Sequence, residues 1–280
     1  MSWKKIALVL LLGLLLGPGY EPAAAQAGKL HVAVSIAPQA YFVERIGGER
    51  VKITVVMPPY VDHDTFEPTP KQLIELSRAD LFVKIGISHF IFEQKQVEPV
   101  LRKRGGRVAD MSEGIGLLAD DPHIWIAPHT VRIAAQNIYR ALAALSPSDD
   151  PFFKKNLSAF LKEIDEAEAY ARRGLAGKEG CCFVIYHPAL GYLAHRYSLR
   201  QLVIESEGKP PSALHFRNIA EEARKNKLSA ILVQKGFDHK SAQAIAREIG
   251  ARLVEIDPME RNWPKNIQSI VDKLKQVAGR

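Results

Sequence analysis

Cysteine is nearly absent from this sequence: two residues in 280, and they are neighbours, Cys181-Cys182. Adjacent residues in a strand point to opposite faces, so a bond between them would be strained, and no disulfide framework can be built. The C-x-x-C spacing of a redox or metal site is missing too, so the pair reads as small buried apolar residues. Equally absent are a G-x-S-x-G elbow, a Walker A loop, a G-x-G-x-x-G fingerprint and an H-E-x-x-H helix, which removes the commonest hydrolase, nucleotide and zincin signatures. Gly47-Gly48 and Gly105-Gly106 are turn glycines with no helix opening behind them in phosphate-loop fashion. The formal charge is +7, but lysine and arginine are scattered among acids. The one tight basic run, Arg102-Lys103-Arg104, ends an expected helix, so the charge reads as solubility and not as a nucleic-acid surface.

What is present begins with an export signal. Lys4 and Lys5 precede an apolar run from Ile6 to Leu16, followed by Gly17-Pro18-Gly19 and the small-residue stretch Ala23–Ala27. That is a charged segment, an apolar segment too short to span a bilayer comfortably, and an A-x-A cleavage signal after Ala25 or Ala27. No cysteine follows the apolar run, so no lipid anchor is expected, and residues 1–27 are assigned to the signal. Losing Lys4, Lys5 and Glu21 takes the charge from +7 to +6. Residues 28–280 suffice for one large or two medium α/β units with substantial cores.

Strand-like and helix-like patterns alternate through that length. Strands are expected at 30–36, 51–57, 80–85, 182–186, 199–204, 230–234 and 252–256. Helices are expected at 70–79, where Pro70 stands at the tolerated first position, and at 89–104, 129–145, 188–197, 212–226, 239–249 and 263–277. Alternation of this kind predicts parallel sheets covered on both faces. Between the halves, Phe153, Leu157, Phe160, Leu161, Ile164, Ala167 and Ala171 recur at three- and four-residue steps. Ser148–Asp150 with Pro151 supply the start of this helix and Gly174 a stop. The fold class predicted is therefore α/β, with two lobes, each a parallel sheet flanked by helices, joined by one long rigid helix. The boundaries are 28–146 for the N-terminal lobe, 147–176 for the linking helix and 177–280 for the C-terminal lobe.

In open α/β sheets, ligands bind beyond the carboxyl ends of the strands. Four places supply suitable side chains there: Asp62-His63-Asp64 after the strand at 51–57, His187-Pro188 after 182–186, Asp257-Pro258 after 252–256, and Asp120-Asp121-Pro122-His123-Ile124-Trp125 before the helix at 129. Taken singly, each is an ordinary turn or surface group. Together they gather imidazoles and carboxylates from two lobes onto one edge, the donor set of a borderline divalent metal. His89, after the strand at 80–85, is held in reserve as a further ligand, with a surface role as its simpler reading.

These segments together resemble the zinc/manganese-type substrate-binding proteins of bacterial ABC transporters. The resemblance rests on MPPYVDHDTFEPTPKQ (57–72), ADLFVKIG (79–86), DDPHIWIAP (120–128), the central helix, YHPALGYLAHRYSL (186–199) and EIDPMERNW (255–263), and spans essentially the whole exported length. It implies two α/β lobes joined by a rigid helix, with the metal held in the cleft between them. It implies His123, His187 and Asp257 as ligands, with histidine rather than glutamate at 187 leaning toward Zn2+ over Mn2+ or Fe2+. The first ligand departs from the pattern. Relatives read D-P-H-T-Y-E-P-T-P, and strict alignment puts Asp64 at the ligand position and His63 one residue earlier, so either His63 or Asp64 fills it. The long histidine-rich loop of many zinc-type relatives is also missing, since Ser112–Ala119 leads straight into D-D-P-H. Glu205 and Glu207 are candidate outer-shell acceptors that would orient an imidazole N–H.

The function implied is a periplasmic metal carrier, monomeric and non-catalytic, that delivers zinc to the permease of a metal ABC transporter. Two other classes fit parts of the sequence. A zinc hydrolase needs an open coordination position and a general base, for which Glu67 and Glu205 are the nameable candidates. An adhesin would need surface display, against which the missing anchor cysteine argues.

Overall fold

The computed structural model describes residues 28–59, 61, 66–118, 121–205, 211–236 and 240–279. The export signal, both candidates for the first ligand (His63 and Asp64) and Glu207 lie outside the described residues.

The first half runs β1 (Leu30–Val34), α1 (Ala37–Gly47), β2 (Val51–Val55), α2 (Pro70–Leu76), β3 (Leu81–Lys84), α3 (Glu98–Arg102), β4 (Arg107–Asp110) and α4 (Pro128–Leu145). After α5 (Asp150–Leu175), the second half runs β5 (Cys182–Ile185), α6 (Gly191–Arg196), β6 (Arg200–Val203), α7 (Ala213–Lys225), β7 (Ala230–Gln234), α8 (Lys240–Ile249), β8 (Arg252–Ile256) and α9 (Trp263–Val277). Each half holds a four-stranded sheet, in order β2-β1-β3-β4 and β6-β5-β7-β8. Every pairing within them is parallel. In each sheet the strand order reverses beside the first strand, next to β1 and next to β5. Those reversals open the crevices where ligands of open parallel sheets sit.

The linking helix explains why the halves form one body. Phe153, Leu157, Phe160, Ile164, Ala167, Ala171 and Leu175 are all buried, and they recur at steps of three and four. Leu161 falls off that stripe and is only partly buried. At about 1.5 Å per residue the helix is roughly 39 Å long. It packs against α1, α4 and α9, so its stripe is covered from both lobes. One apolar core runs from Val32 and Phe42 through Phe160 to Trp263 and Val271. Its aromatic centre sets Phe42 against Phe160 at 5.7 Å and against Trp263 at 5.8 Å. A second, smaller core of Cys182, Val184, Ile219, Ile231 and Ile245 fills the outer face of the C-terminal sheet. Cys181 and Cys182 are both free and buried.

Three local readings are corrected. α1 was not foreseen, because its apolar residues cover more than one face: Ala40, Phe42, Val43 and Ile46 are all buried, which blurs the stripe. β4 was not foreseen either. Its Arg-Val-Ala-Asp sequence is a partly exposed edge strand with no apolar run. Gly174 does not stop α5; the helix passes through it to Leu175. A Cβ at 174 would lie 2.6 Å from Val271 Cγ1, so the glycine allows α5 and α9 to approach closely. Two expected helices are also shorter than their patterns. The span at 89–104 becomes helical at Ile91 and widens into a π turn over Glu93–Val97 before α3, and the span at 188–197 becomes helical only at Gly191.

Candidate metal centre

His187 follows β5 by two residues, at the reversal point of the C-terminal sheet. Its position is fixed through the backbone: the His187 N–H donates to Gln234 Oε1 at 3.2 Å, and Gln234 Nε2 donates back to the His187 carbonyl at 2.5 Å. Gln234 ends β7, so the neighbouring strand clamps the residue. The ring is fixed separately, with Nδ1 2.5 Å from Oε1 of Glu205, which follows β6. Both side chains are buried.

His123 reaches the same place from the N-terminal half, in the turn before α4. Asp121 holds it: Oδ1 accepts the His123 backbone N–H at 2.9 Å and faces Nδ1 at 2.7 Å. A carboxylate at Nδ1 favours the proton on that nitrogen, and in the Nδ1–H tautomer Nε2 is the nitrogen that would bind a metal. The two Nε2 atoms are 3.2 Å apart, with ring planes at 77°. For a tetrahedral zinc with Zn–N near 2.0–2.1 Å, two ligand nitrogens stand about 3.3 Å apart. The two Nε2 atoms thus already stand at the spacing of two ligands on one ion.

Asp257, one residue beyond β8, lines the same cavity of about 30 Å³, together with Trp125, Gln234 and Met259. Its Oδ1 accepts the Met259 N–H at 3.0 Å, and its carbonyl accepts from Asn266 Nδ2 at 2.8 Å. Trp125 ties this loop to that of His123. Its indole N–H donates to the Pro258 carbonyl at 2.9 Å, while Trp263 donates to the Trp125 carbonyl at 2.6 Å. The tryptophan of D-P-H-I-W therefore packs beside His123, ring centroids 5.1 Å apart, and locks the loop that carries Asp257.

The approach to the first-ligand segment is built from Thr69 and Gln72. Thr69 caps α2, accepting the Gln72 N–H and donating its own N–H to the Gln72 side chain at 2.9 Å. Gln72 Nε2 also donates to the Val56 carbonyl at 2.8 Å, pinning the start of α2 to the end of β2. The described residues on either side of 62–64 are thereby held together. Among the described residues, no three His, Cys, Asp or Glu side chains already form a metal-holding group. His89 does not line the cavity. Glu67 is exposed, and Glu205 is engaged with His187. Glu205 is a candidate orienting group from the sequence alone; the orienting role of Asp121, two residues before His123, emerges only from its contact with the ring.

Beneath the N-terminal reversal point lies a second buried carboxylate. Glu93 accepts from Ser35 Oγ, from the Ile85 N–H at 2.7 Å and from the Gly86 N–H at 3.0 Å. Burial pushes its carboxyl up to about 7, with those three hydrogen bonds opposing the rise. It anchors the turn whose Phe90 packs on Trp125 at 6.0 Å and whose Phe92 packs on Phe66 at 5.0 Å.

Two parallel lobes on one long helix, with histidines from both lobes meeting between them, make a metal-type substrate-binding protein of a transporter. The chain belongs to the family described as ZnuA, the periplasmic component A of the zinc-uptake complex, whose family model matches residues 32–277. A crystal structure of ZnuA superposes with a TM-score of 0.84 at 34% identity, covering 89% of this chain and 99% of that one. A ZnuA deletion mutant with zinc bound gives 0.84 at 32%, covering 90% and 99%. The high-affinity zinc uptake system protein ZnuA of Bacillus subtilis is 25% identical over 260 residues, 83% of this chain and 79% of that one. The match to the zinc-binding lipoprotein AdcA of Streptococcus pneumoniae, 24% identical, spans half of that longer protein.

Proposed function

We propose that this protein captures one zinc ion between its lobes, using His123, His187, Asp257 and His63 as donors, and hands it to the permease of an ABC transporter. The observation that supports this most is the pair of Nε2 atoms 3.2 Å apart, each ring oriented by its own carboxylate. Two or three imidazoles suit zinc better than manganese or iron, which favour more oxygen. Asp64 in place of His63 would shift the set toward oxygen and weaken that preference.

The role is carriage without catalysis. Four donors close a tetrahedral ion, leaving no position for a substrate, and the bases available to a hydrolase are exposed (Glu67) or committed to His187 (Glu205). The shared core and the Trp125 and Trp263 hydrogen bonds favour release through small rocking or loop movement over wide hinge closure. The protein works in the periplasm, as a monomer.

A zinc titration against a competing chelator tests this on the wild type, His123→Ala, His187→Ala, His63→Ala and Asp64→Ala. Tight one-to-one binding that is lost in the three histidine variants and kept in Asp64→Ala is the expected pattern. Unchanged binding in His123→Ala and His187→Ala would refute the site. Loss in Asp64→Ala with retention in His63→Ala would move the first ligand to Asp64.

A further inference from the structure

Gly191 opens α6 in helical backbone, a conformation any residue adopts, so the glycine is not there for its φ. It is there for space. A Cβ at this position would lie 2.0 Å from Oδ2 of Asp121, 3.1 Å from its Cγ and 3.4 Å from Gln201 Nε2. Asp121 comes from the N-terminal half, and Gly191 from the C-terminal half, four residues after His187. The aspartate is not free to swing aside, because its Oδ1 holds His123 through both the backbone N–H and Nδ1. Oδ2 is buried with no hydrogen-bond partner among the described residues. Packing against Gly191, not a donor, holds that end. The next residue stitches the same two segments together, since the Tyr192 hydroxyl accepts the Leu118 N–H at 3.1 Å.

The seating of one lobe on the other and the orientation of the His123 ring are therefore one contact. We propose that Gly191 is a positioning residue for metal capture: its missing side chain lets the Asp121 carboxylate seat against the C-terminal lobe and hold the His123 ring with Nε2 toward His187. This rests on the reading of His123 and His187 as zinc donors. A methyl at 191 has two ways to be accommodated. Either Asp121 is pushed off and the ring loses its orienting group, or the lobes part and the two Nε2 atoms separate. Both weaken capture without touching a donor atom.

The test is a double-mutant cycle of zinc affinity on the full chain, using Gly191→Ala, Asp121→Ala and the two combined. The histidine ring nitrogens of each metal-free protein are followed by 15N NMR. Gly191→Ala is expected to weaken zinc binding 10–100-fold, as losses around metal ligands do, and Asp121→Ala by a similar factor. Adding Gly191→Ala to Asp121→Ala should then cost less than about twofold, because the methyl enters space the carboxylate has left. In Gly191→Ala the His123 ring should move from a single Nδ1–H tautomer to a mixture, a change that general destabilisation would not produce. Wild-type affinity and tautomer in Gly191→Ala would overturn the proposal, and so would losses that multiply in the double variant. If Gly191→Ala alone does not fold, the double variant must fold and bind like Asp121→Ala; a double that fails as well overturns the proposal. Failure of the wild type to bind zinc would instead refute the proposed function, leaving the tautomer comparison to decide the role of Gly191.

Discussion

The two sheets share one strand order, yet they secure their reversal points with different chemistry. In the N-terminal sheet a buried carboxyl does it, with Glu93 bridging Ser35 after β1 to Ile85 and Gly86 after β3. In the C-terminal sheet a neutral amide does it, with Gln234 at the end of β7 exchanging two hydrogen bonds with His187 after β5. The neutral clamp holds the backbone of a proposed metal donor. The titratable clamp sits one layer away, behind Phe90 and Trp125. The imidazoles differ too. His123 is oriented by Asp121 from its own turn, whereas His187 is oriented by Glu205, which only the β5–β6 pairing brings alongside.

The largest effect that would break this comparison is loss of a donor from either lobe. Structural zinc sites bind with about 10–16 kcal/mol shared among four ligands, so His123→Ala and His187→Ala should each cost about 2.5–4 kcal/mol, roughly 70–1,000-fold in affinity. A strongly unequal pair of losses, read by chelator competition, would mean that the lobes do not share the ion as proposed.

Next comes the titratable clamp. The folded state holds the Glu93 proton up to about 7, from an ordinary value of 4.5. A carboxyl raised in the folded state adds stability that is complete below about 4.5 and lost as pH rises through about 7. The shift corresponds to about 3 kcal/mol. Thermal unfolding from pH 4.5 to 8 should show this fall in the wild type and a flatter profile in Glu93→Gln. Gln234→Ala should lower stability without adding any such slope. Parallel profiles for wild type and Glu93→Gln would remove Glu93 as the origin of the pH dependence.

The orienting carboxylates come third. Glu205→Gln and Asp121→Asn should each weaken zinc binding 10–100-fold by chelator competition. Glu205→Gln should be the harsher, because Asp121→Asn can still accept at the backbone N–H of its own turn. The smallest effect belongs to Trp125→Phe, which keeps the ring packing and deletes one hydrogen bond to Pro258. It should cost about 1 kcal/mol in denaturant unfolding, with only a few-fold change in zinc affinity.

Much of this plan was legible in the sequence because the signals were regular. The buried strands β1, β3, β5 and β7 read as apolar runs, and α5 showed its stripe. Elements that failed to announce themselves broke those rules for physical reasons: α1 is buried on more than one side, and β4 is a half-exposed edge. At the site, His123, His187 and Asp257 stood out because each borders a proline at a strand end or before a helix. Asp121 did not, since an aspartate before Pro-His looks like any turn residue until its carboxylate is seen against the ring. Gly191 and Gln234 act through the other lobe or the neighbouring strand, and no pattern local to the chain carries such a contact.

X-ray absorption at the zinc edge, on the one-to-one complex of the wild type, tests the central claim most directly. The account predicts a four-coordinate ion with at least two imidazoles at about 2.0–2.1 Å, and one imidazole fewer in His187→Ala. A shell made only of oxygen, or one that is unchanged in His187→Ala, would contradict it.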